Sequence, residues 1–147
     1  MTESEIIVQI SNNQQKIDLL VADRKKLLCQ IEELDALKGK YRALECRIQE
    51  NFYVGSLRFS RYAESTVKNR TLQKYTAGMQ EMYSMSNSQK LTAGLEFART
   101  VIQKKQMQLD DQCTEKELQI HNLKKQNESL QQTLWQLRSE ESTEGCV

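Results

Sequence analysis

Not one of the 147 residues of this chain is proline. Inside a helix proline removes a backbone donor and clashes with the preceding turn, at a cost of about 3 kcal/mol or more, so a chain without it is free to run long helices. Five glycines and 6% aromatic residues leave little with which to build turns or fill a globular centre. Charged residues make up 28%, and Gln, Lys, Glu and Leu recur throughout, a mixture typical of long helices and coiled coils. The chain is therefore expected to be all-α, an elongated helical hairpin or coiled coil of long amphipathic helices that buries apolar surface along seams.

The spacing of apolar residues places the helices. Over residues 1–50, Ile6, Ile10, Ile17, Leu20, Leu27, Ile31, Leu34, Leu37, Tyr41, Leu44 and Ile48 recur mostly at steps of three, four or seven, the pattern of a heptad seam. Asn13, Arg24 and Lys38 interrupt it, while Ile7, Val21 and Leu28 widen the stripe beyond a two-stranded seam. Thr2 or Ser4 can cap the start, with Glu5 in the first turn. In Asn51-Phe52-Tyr53-Val54-Gly55-Ser56 the heptad stops, and Asn and Gly both tolerate positive φ, so residues 51–56 are read as a turn. A second long helix is expected over 57–138, interrupted near 84–89 by the small polar run SMSNSQ. On it Ile102, Leu109, Cys113, Ile120, Leu123, Leu130, Leu134 and Leu137 hold a 4-3 register, with Asn127 between Leu123 and Leu130. A seam Asn weakens such packing but fixes register and partner number. The acidic tail, residues 139–147, is short of apolar side chains and is expected to be disordered. Ile17, Leu20, Leu27, Ile31 and Leu34 on the first helix, with Ile102, Leu109, Ile120, Leu123, Asn127, Leu130, Leu134 and Leu137 on the second, form the seam expected to take partner helices.

Several function classes find no support. Net charge is +1, with 21 basic against 20 acidic residues, so bulk charge does not call for nucleic acid or an anionic membrane. No stretch approaches the roughly 18 apolar residues of a membrane span. The start, MTESEIIVQIS, lacks the basic, apolar and cleavage regions of a secretory signal peptide. Cys29, Cys46, Cys113 and Cys146 match no zinc spacing, and they read as reduced structural thiols in a cytoplasmic protein, with Cys29 and Cys113 on or near seams. The single histidine, His121, has no ligand-like neighbour and reads as a solvated helical residue. Glu32-Glu33, Asp110-Asp111 and Glu140-Glu141 are sequence neighbours that point about 100° apart on a helix, so they cannot act as an acid/base pair. The glycines are scattered singly, which leaves no phosphate-cradling loop. No catalytic, cofactor or metal residue emerges, and no enzymatic activity is expected. The run from Arg58 to Lys74, with Arg61, Lys68 and Arg70, is locally basic, and with Phe59, Tyr62 and Tyr75 it is open to a nucleic-acid reading. A face that pairs with acidic residues of another helix accounts for it better. The aromatic group from Phe52 to Tyr62 is either an exposed anchor or core at a hairpin end, and Trp135 reads as packing.

A long helix, an aromatic-x-Gly element and a second long amphipathic helix resemble the WXG-type helical hairpins of type VII (Esx-like) secretion. The layout is most similar to the longer YwqH-like proteins encoded beside LXG toxins. Tyr53-Val54-Gly55 stands where that family has Trp-x-Gly, Phe59 follows four residues later, and Tyr62 and Tyr75 lie beyond. The resemblance implies a turn clasp of Tyr53, Gly55 and Phe59, in which the ring plugs the gap between helices and glycine reverses the backbone. Tyr replaces Trp here, and the Tyr-x-x-x-Asp/Glu export signal is missing, since Thr66, Met79 and Asn87 follow the three candidate tyrosines. What is implied is a cytoplasmic adaptor or chaperone, co-secreted at most, that binds the N-terminal helical region of an LXG toxin or a second small helical protein. The other reading is a generic cytoplasmic coiled-coil scaffold or tether with no secretion role. Either way the seams expose more apolar surface than one hairpin hides, so a homo- or hetero-oligomer is expected.

Overall fold

The structure is a computed structural model that describes residues 1–65 and 70–145, the side chains of residues 62–65 excepted. Expectations resting on the side chains of Tyr62, Val67, Lys68 and Cys146 fall outside the described residues. Three α-helices account for nearly all of it: α1 (Glu3–Ser65), α2 (Arg70–Met82) and α3 (Met85–Glu144), with no strand among the described residues. The start of α1 is set by a capping box. The Thr2 backbone N–H donates to Glu5 Oε2 at 2.9 Å, and the Glu5 N–H donates back to Thr2 Oγ1 at 3.3 Å. Each bond satisfies a donor that would otherwise be orphaned at a helix start.

The helices present one face each. From Ile6 to Phe59 the least exposed positions of α1 step by four and three without a break, and those of α3 do the same from Ser88 to Leu137. Residues three and four apart share a helix face, so both helices are one-sided. The chain divides into two compact units, Met1–Glu32 with Met107–Val147, and Glu33–Gln106. In the first, the N-terminal half of α1 and the C-terminal part of α3 lie antiparallel: Glu3 meets Arg138 at 2.8 Å, Asn13 meets Asn127 and Arg24 meets Glu117. Ile6, Ile17, Leu109, Cys113 and Ile120 are buried between them. In the second, the rest of α1 faces α2 and the start of α3, again antiparallel, with Glu45 on Arg99 at 3.2 Å and the Phe59 carbonyl accepting from Gln80 Nε2 at 3.5 Å.

Four expectations are corrected. Residues 51–56 are not a turn but part of α1, and no described glycine or other residue has positive φ. The heptad does not stop there: Ile48, Phe52, Gly55 and Phe59 continue its steps, with glycine standing at a seam position. The first helix accordingly runs to Ser65, and residues 57–65 belong to it rather than to the second. No reversal of the chain falls within 51–56, because α1 is continuous through them. The interruption near 84–89 is confined to Tyr83 and Ser84, and 85–89 are helical. There the Asn87 side-chain amide donates to the carbonyls of Glu81 (3.0 Å) and Met82 (3.4 Å), while the Asn87 N–H donates to Ser84 Oγ at 3.4 Å. Asn87 thus helps to satisfy carbonyls at the end of α2, together with the Ser84 N–H, which donates to the Glu81 carbonyl at 3.1 Å. Finally, residues 139–144 continue α3 rather than fraying as a disordered tail. The hydroxyls of Ser139 and Thr143 donate to carbonyls four residues back, as they do in a formed helix.

Candidate interaction surface

The seam is a mixture of apolar and polar layers, and its polar side chains meet partners across it, although Arg24 Nε and Arg99 Nε are buried without a hydrogen bond among the described residues. Asn13 and Asn127 are buried (5% and 8% exposed), and Asn13 Nδ2 donates to Asn127 Oδ1 at 2.9 Å. Asn127 Nδ2 in turn donates to the Ile10 carbonyl at 3.4 Å. Arg24 meets Glu117 at 2.7 Å, beside a looser Lys116–Asp23 contact at 3.9 Å. In the second unit Lys38 Nζ donates to Gln106 Oε1 at 3.4 Å, and Gln106 Nε2 donates to Asp35 Oδ1 at the same distance. Asn13, Arg24 and Lys38, which look like flaws in the heptad, each face a polar residue of the opposing helix. Around them lie Ile17, Ile102, Leu109 and Ile120, all buried, and Leu20, Leu27, Ile31, Leu34, Leu123, Leu130, Leu134 and Leu137, all half-buried. The residues expected to form a partner seam are thus already turned toward the opposing arm of their own chain.

The aromatic group of the second unit is arranged differently from the expected clasp. Tyr53 is 67% exposed and plugs nothing. The ring against Gly55 is that of Tyr83: a Cβ built on Gly55 would come within 2.6 Å of its Cε1 and 2.8 Å of its Cγ. Tyr83 stacks on Phe59 at 5.6 Å between centroids and meets Phe52 edge-on at 5.7 Å, while Phe59 meets Tyr75 edge-on at 6.5 Å. Gly55 and Phe59 are therefore part of an aromatic cluster, with glycine supplying space rather than a bend. Sequence reasoning did not pair Tyr83 with Gly55, although a glycine at a seam position is a signal that something large sits opposite.

Away from the seam, many large apolar side chains are bare. In the first unit Ile7, Val21 and Leu28 are exposed at multiples of seven residues on α1. Leu19, Met107, Leu118 and Trp135 are exposed as well, Trp135 at 71% rather than packed as expected. Leu19, Leu20 and Leu123 line an apolar groove, together with Lys16, Gln119 and Asn122. In the second unit Leu37, Leu44, Phe97 and Val101 are exposed, Phe97 at 72%. Cys113 is buried, but Cys29 is exposed rather than on the seam. His121 is exposed. Among the described residues no group of His, Cys, Asp or Glu is placed to hold a metal, and no helix is long and apolar enough to cross a membrane.

The geometry defines a class: paired amphipathic helices with partly polar seams and outer faces that leave a number of large apolar side chains bare. The chain matches no protein-family model, no curated protein and no solved structure.

Proposed function

We propose that this chain is a small cytoplasmic adaptor or chaperone of coiled-coil type, acting by binding rather than by catalysis. Its partner is a helix bundle, and the resemblance to YwqH-like proteins names the N-terminal helical region of a type VII-secreted LXG toxin. The observation that carries the reading is the set of large apolar side chains left bare once the seam is closed, Leu19, Phe97, Leu118 and Trp135 foremost. Exposed apolar surface disposed along a helix marks a site where further helices pack. The helical state of residues 51–56 favours a second reading, a coiled-coil scaffold or tether with no secretion role, because it removes the Tyr-x-Gly turn from the resemblance.

Size-exclusion chromatography with light scattering separates the two. Purified chain is mixed at micromolar concentration with the N-terminal helical region of an LXG toxin. The adaptor reading expects a complex heavier than either component, weakened at least tenfold by Leu19→Ser with Trp135→Ser at unchanged helicity. Self-assembly above 17.1 kDa that ignores the toxin region supports the scaffold. A monomer that binds neither itself nor the toxin refutes both.

A further inference from the structure

We infer that the second unit carries a recognition pocket for one uncharged aromatic side chain presented by a partner helix. The pocket, about 480 Å³, opens where α1 passes the junction of α2 and α3. That volume lies within the roughly 300–1,000 Å³ range of ligand sites. Phe52 and Tyr83, locked edge-on in the cluster described above, are half-buried and supply a rigid aromatic base. Tyr53 and Met85, 67% and 74% exposed, stand over it as bare, adaptable walls. The rest of the lining is hydroxyl and amide, from Ser56, Gln89 and their neighbours.

Charge decides the class of occupant. Every lining residue is uncharged, in a chain whose residues are 28% charged. An anionic group would lose its hydration there with nothing to pair it, and a cation, although ring faces attract it, would find no carboxylate among the lining residues, whereas a neutral ring loses only water contacts. Aromatic rings gain further from offset or edge-on contact with Phe52, Tyr53 and Tyr83. Met85 adds a polarizable thioether of the kind that fits irregular occupants. The amides and hydroxyls at the margin suit the peptide groups that flank a side chain on another protein. Aromatic anchors seated in such pockets commonly supply the centre of a binding interface. This deepens the adaptor reading by giving its partner a chemical requirement, an aromatic residue on an exposed helix face. That the occupant belongs to a partner helix rests on that reading; the pocket chemistry is tested without it.

The test uses the full chain with methionine methyl groups labelled with carbon-13 and followed by NMR. The Met85 signal is assigned through Met85→Leu, and exposed Met107 serves as the control. The probe is N-acetyl-tryptophanamide, a neutral ring with flanking peptide groups. It is expected to shift the Met85 methyl saturably and leave Met107 in place. N-acetyl-lysinamide and N-acetyl-glutamic acid amide are expected to shift neither. Filling the pocket with Ser56→Phe, or from the opposite helix with Gln89→Trp, is expected to weaken the shift at least tenfold without loss of helicity. A Met85 signal that stays still, moves no more than Met107, or moves unchanged in a filled variant that keeps its helicity overturns the pocket. Indole binding tenfold tighter than N-acetyl-tryptophanamide would assign the site to a free small aromatic molecule instead, and would overturn the partner side chain. None of these results depends on whether the chain binds an LXG toxin.

Discussion

Gly55 is the position where helix propensity and packing predict opposite signs. In an exposed helix interior, replacing glycine with alanine stabilises by about 1 kcal/mol. Gly39 satisfies that condition, since a Cβ there meets nothing within 4 Å. At Gly55 the same Cβ would press on the Tyr83 ring at 2.6–2.8 Å. The ring cannot swing freely, because Phe59 stacks on it and Phe52 abuts it. Overpacking of this kind typically costs about 1–3 kcal/mol, which exceeds the propensity gain over most of its range. Gly39→Ala should therefore raise the melting temperature, and Gly55→Ala should lower it by a net of about 1 kcal/mol, roughly 2–4 °C for a chain of this size. The assay is thermal melting by circular dichroism, repeated in a Tyr83→Ala background. Without the ring, Gly55→Ala should turn stabilising, and the coupling isolates the contact. Equal stabilisation by Gly39→Ala and Gly55→Ala with Tyr83 intact would show that the ring does not sit on the glycine.

Two further outcomes follow from the same contacts. Asn13→Leu alone should destabilise by about 1–3 kcal/mol in chemical denaturation, because it leaves the buried Asn127 Oδ1 without its donor, whereas Asn13→Leu with Asn127→Leu should recover most of that loss. Thr2→Ala should cost about 0.5–2 kcal/mol and raise amide exchange in the first turn of α1, since it removes half of the capping box; unchanged exchange at Glu5 would show that the box contributes nothing.

What could be read from the sequence was the part that repeats. The steps between Ile6 and Ile48 and between Ile102 and Leu137 are local, and they put the right residues on the right faces. Pairing is not local. Asn13, Arg24 and Lys38 stood out as interruptions, but their partners Asn127, Glu117 and Gln106 lie 114, 93 and 68 residues away, and periodicity alone carries no register between distant segments. The turn assigned to 51–56 failed for the same reason. Asn51 and Gly55 are turn-formers by local preference, and what keeps them helical is the continuing seam and a ring that arrives from Tyr83. Residues 139–144 were read from charge and lack of apolar residues. Backbone hydrogen bonding from an already formed helix extends through them at little cost, since propagation is easier than nucleation.

The matched polar residues also limit how this chain can meet a partner. A seam of Leu and Ile is indifferent to sliding by a heptad, because each apolar residue meets another of similar size. In the first unit such a slip would set Asn13 against Ile120 or Leu134 instead of Asn127, and would part Arg24 from Glu117. Each buried amide left without a partner costs about 1–3 kcal/mol, so one register is selected by penalty more than by attraction. The same penalty applies to a foreign helix. If it displaced one arm of the first unit, it would have to supply an amide to Asn13 or Asn127 and an opposite charge to Arg24 or Glu117. The apolar positions outside the seam impose no such condition, and Ile7, Val21 and Leu28 already lie in a row at a helical repeat. Binding without unfolding is therefore the cheaper route. On the adaptor reading, the arms would stay paired and a partner would add helices to faces that the seam leaves open.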